Sequence, residues 1–366
     1  MANANLSKAK NAKQDEFYTQ YADIEKEVNA YLEYNPDTFR DKVVLLPCDD
    51  PEWSNFTRYF ALHFEDLGLR KLISTSYAPD SKMLKEPLQL TLFETESPQF
   101  DPSKAQTKGK LFILDRDVDG NGRIDIDDLQ WHYLEGDGDF RSPEVKAFRD
   151  ESDIIVTNPP FSLFREFFAW VMESGKKFLM IGNKNCITYK EIFPFIKDNQ
   201  VWAGTRNWAG GMWFETKYAD EVDKIIDGID MRNVPSIWLT NIDHGRRHQP
   251  LALMTMADNL KFSKHKDIKG QKDYAHYDNY DAIEVPYTDA IPSDYDGVMG
   301  VPITFLDKYC PEQFEITGLM SGAKGGELTN GNDGRVKFYV NGQGVYARIL
   351  IRKKQQEKAK NYESNS

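Results

Sequence analysis

The stretch Asp153-Ile154-Ile155-Val156-Thr157-Asn158-Pro159-Pro160-Phe161 decides how this chain is read. It is an apolar strand running into Asn-Pro-Pro-Phe. Two consecutive prolines remove two backbone donors and fix φ, so the chain leaves the sheet in a rigid turn that exposes carbonyl groups. Such a turn suits capture of an amino group. The side-chain oxygen of Asn158 and the carbonyl of Pro159 can both accept from one planar NH2, while Phe161 offers a ring face to the attached heterocycle. An amine held this way has its lone pair drawn out of conjugation and becomes nucleophilic. The matching electrophile is a sulfonium methyl, whose transfer leaves a neutral thioether and needs in-line positioning more than an acid or a strong base. The chemistry implied is amino methylation from S-adenosylmethionine. The bland account of the same residues is an edge strand that ends in proline.

Around that strand the first half of the chain alternates strand-like and helix-like segments. Asp23 to Tyr34 has helical spacing, Val43 to Leu46 is a short buried strand, and Asn55 to Leu67 is helical with Phe56, Tyr59, Phe60 and Phe64 on one face. Leu72 to Thr75 and Leu111 to Leu114 read as strands, and Pro143 to Arg149 as a helix. After Asp153 to Thr157 come a helix over Leu163 to Glu173, a strand at Lys177 to Ile181 and a helix over Tyr189 to Lys197. The alternation predicts an α/β fold of parallel strands crossed over by helices, an open twisted sheet whose ligands bind at the carboxyl ends of the strands. Both Asp49-Asp50-Pro51 and Asn158-Pro159-Pro160-Phe161 fall at such ends. Beyond Asn199, Trp202, Trp208, Trp213 and Trp238 gather around Gly210-Gly211, and Ser236 to Ile242 reads as a strand. Val336 to Val340 and Val345 to Ile351 flank Asn341-Gly342, a two-residue hairpin signal. A boundary near Asp243 gives two domains, residues 1–243 and 244–366.

A chain of 366 residues with 40% hydrophobic content can bury a large core, and about 150 residues per domain agrees with two domains. No apolar run approaches a membrane span and no signal-peptide core is evident, so the reading is a soluble, cytoplasmic protein with no membrane partner. Cys48, Cys186 and Cys310 are widely scattered without metal-ligand spacing, which argues against a disulfide framework and a zinc site. The net charge of −12 hides an uneven distribution. Residues 1–199 hold 25 Lys and Arg against 35 Asp and Glu, whereas residues 200–366 hold 21 against 23. Within the second half, His244 to Lys272 carries seven basic and two acidic residues, and Arg348 to Lys360 six and one. These segments are candidate phosphate-contacting surfaces, with Arg246, Arg247, Lys264, Lys266, Lys269 and Arg352 as candidate contacts, or else two solvated faces.

The assembled residues closely resemble the EcoRI-type DNA adenine methyltransferases, which methylate the exocyclic N6 of adenine. The resemblance rests on six blocks: Asp15-Glu16-Phe17-Tyr18-Thr19, Cys48-Asp49-Asp50-Pro51-Glu52-Trp53-Ser54-Asn55-Phe56, Gly136-Asp137-Gly138-Asp139-Phe140-Arg141-Ser142, Asn158-Pro159-Pro160-Phe161-Ser162-Leu163-Phe164-Arg165-Glu166, Ile181-Gly182-Asn183-Lys184-Asn185 and Pro311-Glu312-Gln313-Phe314. It implies a Rossmann-like S-adenosylmethionine-dependent sheet with helices on both faces, followed by a C-terminal target-recognition region that binds double-stranded DNA. Phe17, Tyr18 and Thr19 resemble the motif that folds back over the methionine part of the cofactor. Asp49, Asp50, Ser54 and Asn55 occupy the place of the first cofactor loop. Asp139 resembles the acceptor for the cofactor's adenine amino group and Phe140 the side chain that packs on its ring. Asn158, Pro159, Pro160 and Phe161 resemble the catalytic motif. A cognate restriction endonuclease or a phage setting suits such a family.

Three features depart from the wider methyltransferase pattern or compete with it. The loop after the first strand is usually glycine-rich, but no glycine occurs between Val43 and Gly68, so Asp49 and Asp50 must act through side chains or serve only as helix caps. The second strand ends Ser74-Thr75-Ser76-Tyr77, without the acidic residue that normally binds the ribose. Asp117 to Asp128 has oxygen-bearing side chains at loop positions 1, 3, 5 and 12, glycine at 6 and isoleucine at 8, matching a calcium loop except for Asp in place of the bidentate Glu. A polar hairpin tip is the competing account of that segment, and no metal site is assigned. Among Trp202, Trp208, Trp213 and Phe214, one can supply a stacking wall opposite Phe161 for a base flipped from a duplex, or all four are core. The alternative activity is methylation of a protein glutamine amide, which the same Asn-Pro-Pro chemistry serves.

Overall fold

The computed structural model describes residues 18–49, 54–78, 100–125, 128, 130–206, 208, 210–216, 222–320 and 338–354. The chain divides into two compact units, Met1–Ile187 with Val201–Gly245, and Thr188–Gln200 with Arg246–Ser366.

In chain order the first unit contains β1 (Tyr18–Thr19), α1 (Tyr21–Tyr34), β2 (Val43–Leu46), α2 (Asn55–Leu62), β3 (Lys71–Thr75), β4 (Lys110–Leu114), β5 (Gln130–Tyr133), α3 (Pro143–Glu151), β6 (Ile154–Thr157), α4 (Phe164–Ser174), β7 (Lys177–Asn183), β8 (Trp202–Ala203), β9 (Met212–Glu215), β10 (Lys224–Ile226), β11 (Ile229–Val234) and β12 (Ser236–Thr240). Eight of the strands form one mixed sheet in the order β5-β4-β3-β2-β6-β7-β12-β8. Only its centre is parallel: β3 with β2, β2 with β6 and β6 with β7. The flanking strands are antiparallel, β4 to β3 and β5 to β4 at one side, β12 to β7 and β8 to β12 at the other. The expectation of parallel strands throughout is corrected here. Apolar periodicity marks a strand but carries no direction, which the connections set.

β2 and β6 are buried along their length and β7 from Phe178 to Gly182, as a sheet covered on both faces requires. Val44, Leu46, Ile154, Val156, Leu179 and Ile181 alternate onto one face and share a core with Ile24, Val28 and Tyr31 of α1 and Phe56, Tyr59 and Phe60 of α2. Phe178, one residue before Leu179, belongs to the opposite face, where Phe168 of α4 meets it edge-on with ring centroids 6.3 Å apart. A second sheet, β1-β9-β11-β10, pairs Thr19 with Phe214 and Tyr18 with Glu215. It therefore joins the N-terminal motif to the tryptophan-rich segment, a link invisible in the sequence. Loop 204–206 is bound to α1 by the buried Glu27 carboxylate, which accepts from Thr205 N (2.7 Å), Thr205 Oγ1 (2.8 Å) and Arg206 N (3.0 Å).

The second unit holds α5 (Phe193–Lys197), α6 (Met256–Phe262), β13 (His276–Tyr277), β14 (Tyr280–Glu284), β15 (Met299–Pro302), β16 (Phe314–Met320), β17 (Tyr339–Val340), β18 (Gln343–Gly344) and β19 (Arg348–Lys353). Its five-stranded sheet runs β13-β14-β15-β19-β16. The Asn341-Gly342 turn forms with both residues at positive φ, 50° and 75°, as a primed two-residue hairpin turn demands. Among the described residues it closes the two-residue strands β17 and β18, and Val336 of the expected strand lies outside them. The apolar residues that follow leave this hairpin, and β19 inserts between β15 and β16 with Ile349, Leu350 and Ile351 buried.

Candidate active site

The carboxyl ends of β2, β3 and β6 meet at Asp49. The residue is 5% exposed, and burial of a carboxylate is tolerated when donors surround it. Ser54 Oγ donates to Asp49 Oδ1 (2.8 Å) and Thr157 Oγ1 to Asp49 Oδ2 (2.7 Å), while Ser74 Oγ donates to the Asp49 carbonyl (2.8 Å). Ser54 is at the same time the N-cap of α2, accepting from Phe56 N at 3.1 Å. Capping thus falls to Ser54, and the Asp49 side chain instead ties that cap to β6. Asn55, the first residue of α2, donates through Nδ2 to the Thr19 carbonyl at 2.7 Å and so attaches β1 to the same loop. Thr19 is buried, and its Oγ1 has no hydrogen-bond partner among the described residues. Phe17, the side chain of Tyr18 and Asp50 lie outside the described residues.

Thr157 is the last residue of β6, so the group that anchors Asp49 immediately precedes Asn158. Asn158 Oδ1 is buried, and the residue has further interactions with the protein. Pro159 is buried, and Pro160 leads at φ −54°, ψ 123° into the single 3₁₀ turn Phe161–Leu163. Phe161 packs partly buried against the core that contains Met212 and Phe214. Of the aromatic residues considered for a second wall, Trp208 and Phe214 are buried, Trp202 donates to the Ile242 carbonyl (3.0 Å), and Trp213 is half-exposed on β9.

The loop with Asp139 and Phe140 lies against the end of β3. Ala78 N donates to the Asp137 carbonyl at 2.7 Å, and Gly138 sits at φ 84° over the Ser76 carbonyl with no room for a Cβ. Asp139 is held by Arg141, which donates through Nε to Oδ1 (2.9 Å) and through Nη2 to Oδ2 (2.6 Å). These charged hydrogen bonds hold the Asp139 carboxyl below the usual carboxylate range. Phe140 is 5% exposed, edge-on to Phe167 and Trp170 with the Arg141 guanidinium 5.4 Å from its ring centre. Phe140 is thus enclosed, whereas Asp139 is half-buried. Sequence reading missed Thr157, Ser74 and Arg141. Polar residues closing buried apolar strands were the available signal for the first two.

The six basic candidates separate into two groups, all in the second unit. Arg247 is 8% exposed and donates to Asn199 Oδ1 at 2.5 Å, and Arg246 is ion-paired with the buried Asp307 at 2.9 Å. They hold the unit together and do not lie on an open basic surface. Lys264, Lys266, Lys269 and Arg352 are exposed. Lys264 pairs with Asp289 at 2.7 Å and Arg352 loosely with Glu315 at 3.6 Å.

The Asp117–Asp128 segment lies within the connection between the antiparallel strands β4 and β5. Its carboxylates also converge: Asp117, Asp119 and buried Asp128 each place an oxygen within 4.8 Å of the others. Gly122, at loop position 6, has φ 85° and donates to Asp117 Oδ2 at 2.8 Å. Among the described residues no helix is long and apolar enough to cross a membrane.

A mixed α/β sheet with an Asn-Pro-Pro-Phe turn at the carboxyl end of a central strand fits a methyltransferase. The chain belongs to the family described as adenine-specific methyltransferase EcoRI, whose model matches residues 5–354. It is 40% identical over 359 residues to the type II methyltransferase M.EcoRI of Escherichia coli, covering 96% of this chain and 97% of that one. Type II methyltransferases M.MpnI of Mycoplasma pneumoniae and M.MgeORF184P of Mycoplasma genitalium are 32% and 31% identical, each over 96% of this chain and 98% and 99% of their own. No solved structure matches the chain. The protein is an adenine-specific DNA methyltransferase, and its family implies a methyl donor.

The Asp49 junction yields a direct expectation. Thr157→Val keeps the shape of the strand end but takes a donor from a buried carboxylate, which costs about 1–3 kcal/mol. Urea denaturation should show that loss. A variant as stable as the parent would mean that the Thr157 bond does not hold the junction.

Proposed function

We propose that the chain transfers a methyl group from S-adenosylmethionine to the N6 of an adenine within a specific double-stranded DNA sequence, with the adenine rotated out of the duplex to the turn of Asn158, Pro159, Pro160 and Phe161. The observation that carries this reading is the position of that turn, directly after the Thr157–Asp49 bond at the carboxyl end of β6. Bound S-adenosylmethionine supplies an electrophilic methyl on a sulfonium sulfur. The protein's task is to orient the amine. Asn158 Oδ1 and the Pro159 carbonyl accept hydrogen bonds from its two N–H groups, which turns the nitrogen lone pair toward the methyl, and Phe161 stacks on the base. As the N–C bond forms the S–C bond breaks to leave a neutral thioether, and the methylated nitrogen then releases one proton to water. The fixed proline turn lets these acceptors act without reorganising.

The fit to the cofactor rests on several groups around the strand ends. The buried Thr19 hydroxyl with an unused hydrogen-bonding capacity, held beside Asn55 and the Asp49 loop, suits the polar methionine end. By the family resemblance Asp49, Ser54 and Asn55, together with Phe17, Tyr18 and Asp50, are assigned to the same end of the proposed site. The Gly136–Arg141 loop at the end of β3 suits the adenosine end, with Asp139 as acceptor and Phe140 in packing contact. The parallel centre of the sheet, with α1 and α2 on one face and α4 on the other, supports a Rossmann-like assignment. The second unit is the target-recognition region in this reading, and Lys264, Lys266, Lys269 and Arg352 contact phosphates. The type II naming of the relatives supports a cytoplasmic restriction-modification setting.

Asn158→Ala should lower methyl transfer on the order of 100- to 1,000-fold, as loss of one preorganised polar partner does. Its affinity for S-adenosylmethionine, measured by calorimetry, should stay near the parent's. Near-normal turnover would sink the assignment. Changing Lys264, Lys266 and Lys269 together to Ala should weaken cognate and non-cognate DNA alike. The logarithmic salt slope should flatten by about 0.9 for each phosphate that the variant no longer neutralises. An unchanged slope would place the phosphate-binding residues elsewhere.

The convergence of Asp117, Asp119 and Asp128, at positions 1, 3 and 12 of the calcium-loop pattern, supports a second reading confined to that loop: it takes a calcium ion. Calcium titration of the full chain should give one saturable binding event that Asp117→Ala removes. A parent protein with a flat titration would leave the loop as a hairpin tip.

A further inference from the structure

Gly182 lies in β7, beside β6, in the block Ile181-Gly182-Asn183-Lys184-Asn185. Its backbone is extended and asks for no special dihedral, so any L-residue could adopt it. Space is what it lacks. A Cβ built at Gly182 would lie 2.6 Å from Phe164 Cζ and 2.7 Å from Phe164 Cε2, with Cys186 Sγ at 3.3 Å. The Phe164 ring has little freedom to retreat. It is 3% exposed and lies 6.5 Å, at 25°, from the ring of fully buried Phe168, which in turn packs on Phe178 of the sheet.

Phe164 is also joined to the catalytic turn through its backbone. Its N–H donates to the Phe161 carbonyl and closes the 3₁₀ turn Phe161–Leu163 that follows Asn158-Pro159-Pro160. A displaced Phe164 therefore moves the residue that closes this turn. The prolines transmit the movement because their fixed φ angles leave few ways to absorb it.

We infer that Gly182 is a positioning residue for methyl transfer: its missing side chain lets Phe164 seat against β7, and the seated Phe164 sets Phe161 and Asn158 at the geometry the reaction needs. This rests on the reading of Asn158–Phe161 as the catalytic turn. The effect acts on alignment and not on cofactor capture, since neither Gly182 nor Phe164 belongs to the proposed cofactor site. A misplacement of about 1 Å in a reacting group can cost on the order of 100-fold in rate.

The test compares Gly182→Ala, Phe164→Leu and the double variant in the full-length enzyme, with kcat and KM for DNA, calorimetric affinity for S-adenosylmethionine and unfolding temperature measured for each. Leucine lacks the outer ring atoms that a Cβ at position 182 would meet. Gly182→Ala should lower kcat roughly 10- to 100-fold, with KM and cofactor affinity within about twofold of the parent, and Phe164→Leu in the same chain should restore most of the loss. If Gly182→Ala does not fold, a folded and active double variant carries the same conclusion. Parent-like kcat in Gly182→Ala, or a folded double variant that stays as slow as Gly182→Ala or inactive, overturns it. Asn158→Ala measured beside them separates the two claims: if it is fully active, the turn is not catalytic, whereas if it is inactive while Gly182→Ala is fast, only the positioning role fails.

Discussion

The buried Asp49 carboxylate is the constraint on which the candidate site depends. A carboxylate removed from water is costly unless donors surround it, and its donors come from separate segments: Ser54 at the start of α2 and Thr157 at the end of β6, while Ser74 of β3 holds its backbone carbonyl. One residue thereby fixes the relative position of three strand ends and a helix start. Asn158 inherits that precision because it follows Thr157 directly. Asn55, beside the Ser54 cap, extends the network to β1 and the N-terminal motif. Hydroxyl groups and a carboxylate thus tie these strand ends together.

A similar arrangement recurs at Glu27, where burial raises the carboxyl's pKa and backbone donors at Thr205 and Arg206 oppose the shift. Together the two acids attach α1, the loop after β8 and β6 to one core. The antiparallel strands extend the parallel centre at both edges of the sheet. The β1–β9 pairing brings the N-terminal motif alongside the segment of Met212 to Glu215.

Much of this was legible in the residues. Val43–Leu46, Ile154–Thr157 and the buried face of Asn55–Leu62 follow apolar periodicity because local pattern and burial agree there. Strand direction at β4 and β12 was not legible, since it depends on connections and not on pattern. The Asn341-Gly342 turn was readable from its two positive-φ residues, but the partner of β19 was not, because three consecutive buried apolar residues suit the centre of any sheet. At the site, Asn158 to Phe161 announced itself through chemistry that few other roles require. Arg246 and Arg247 show the opposite case. Charge in sequence says nothing of exposure, and both arginines are taken up by partners within their own unit. Gly182 is silent in sequence as well, for its importance is a property of the Phe164 ring that fills the space beside it.

The central claim is that the Asn158 turn methylates adenine N6 in DNA at a defined sequence. It is tested most directly by expressing the parent chain and its Asn158→Ala form in a host that lacks adenine methylation, then sequencing the host DNA with a method that detects modified bases. The account predicts N6-methyladenine at essentially every copy of one short sequence with the parent and none with the variant. DNA that stays unmodified with the parent, together with methyl label recovered on glutamine side chains of host protein, would contradict it.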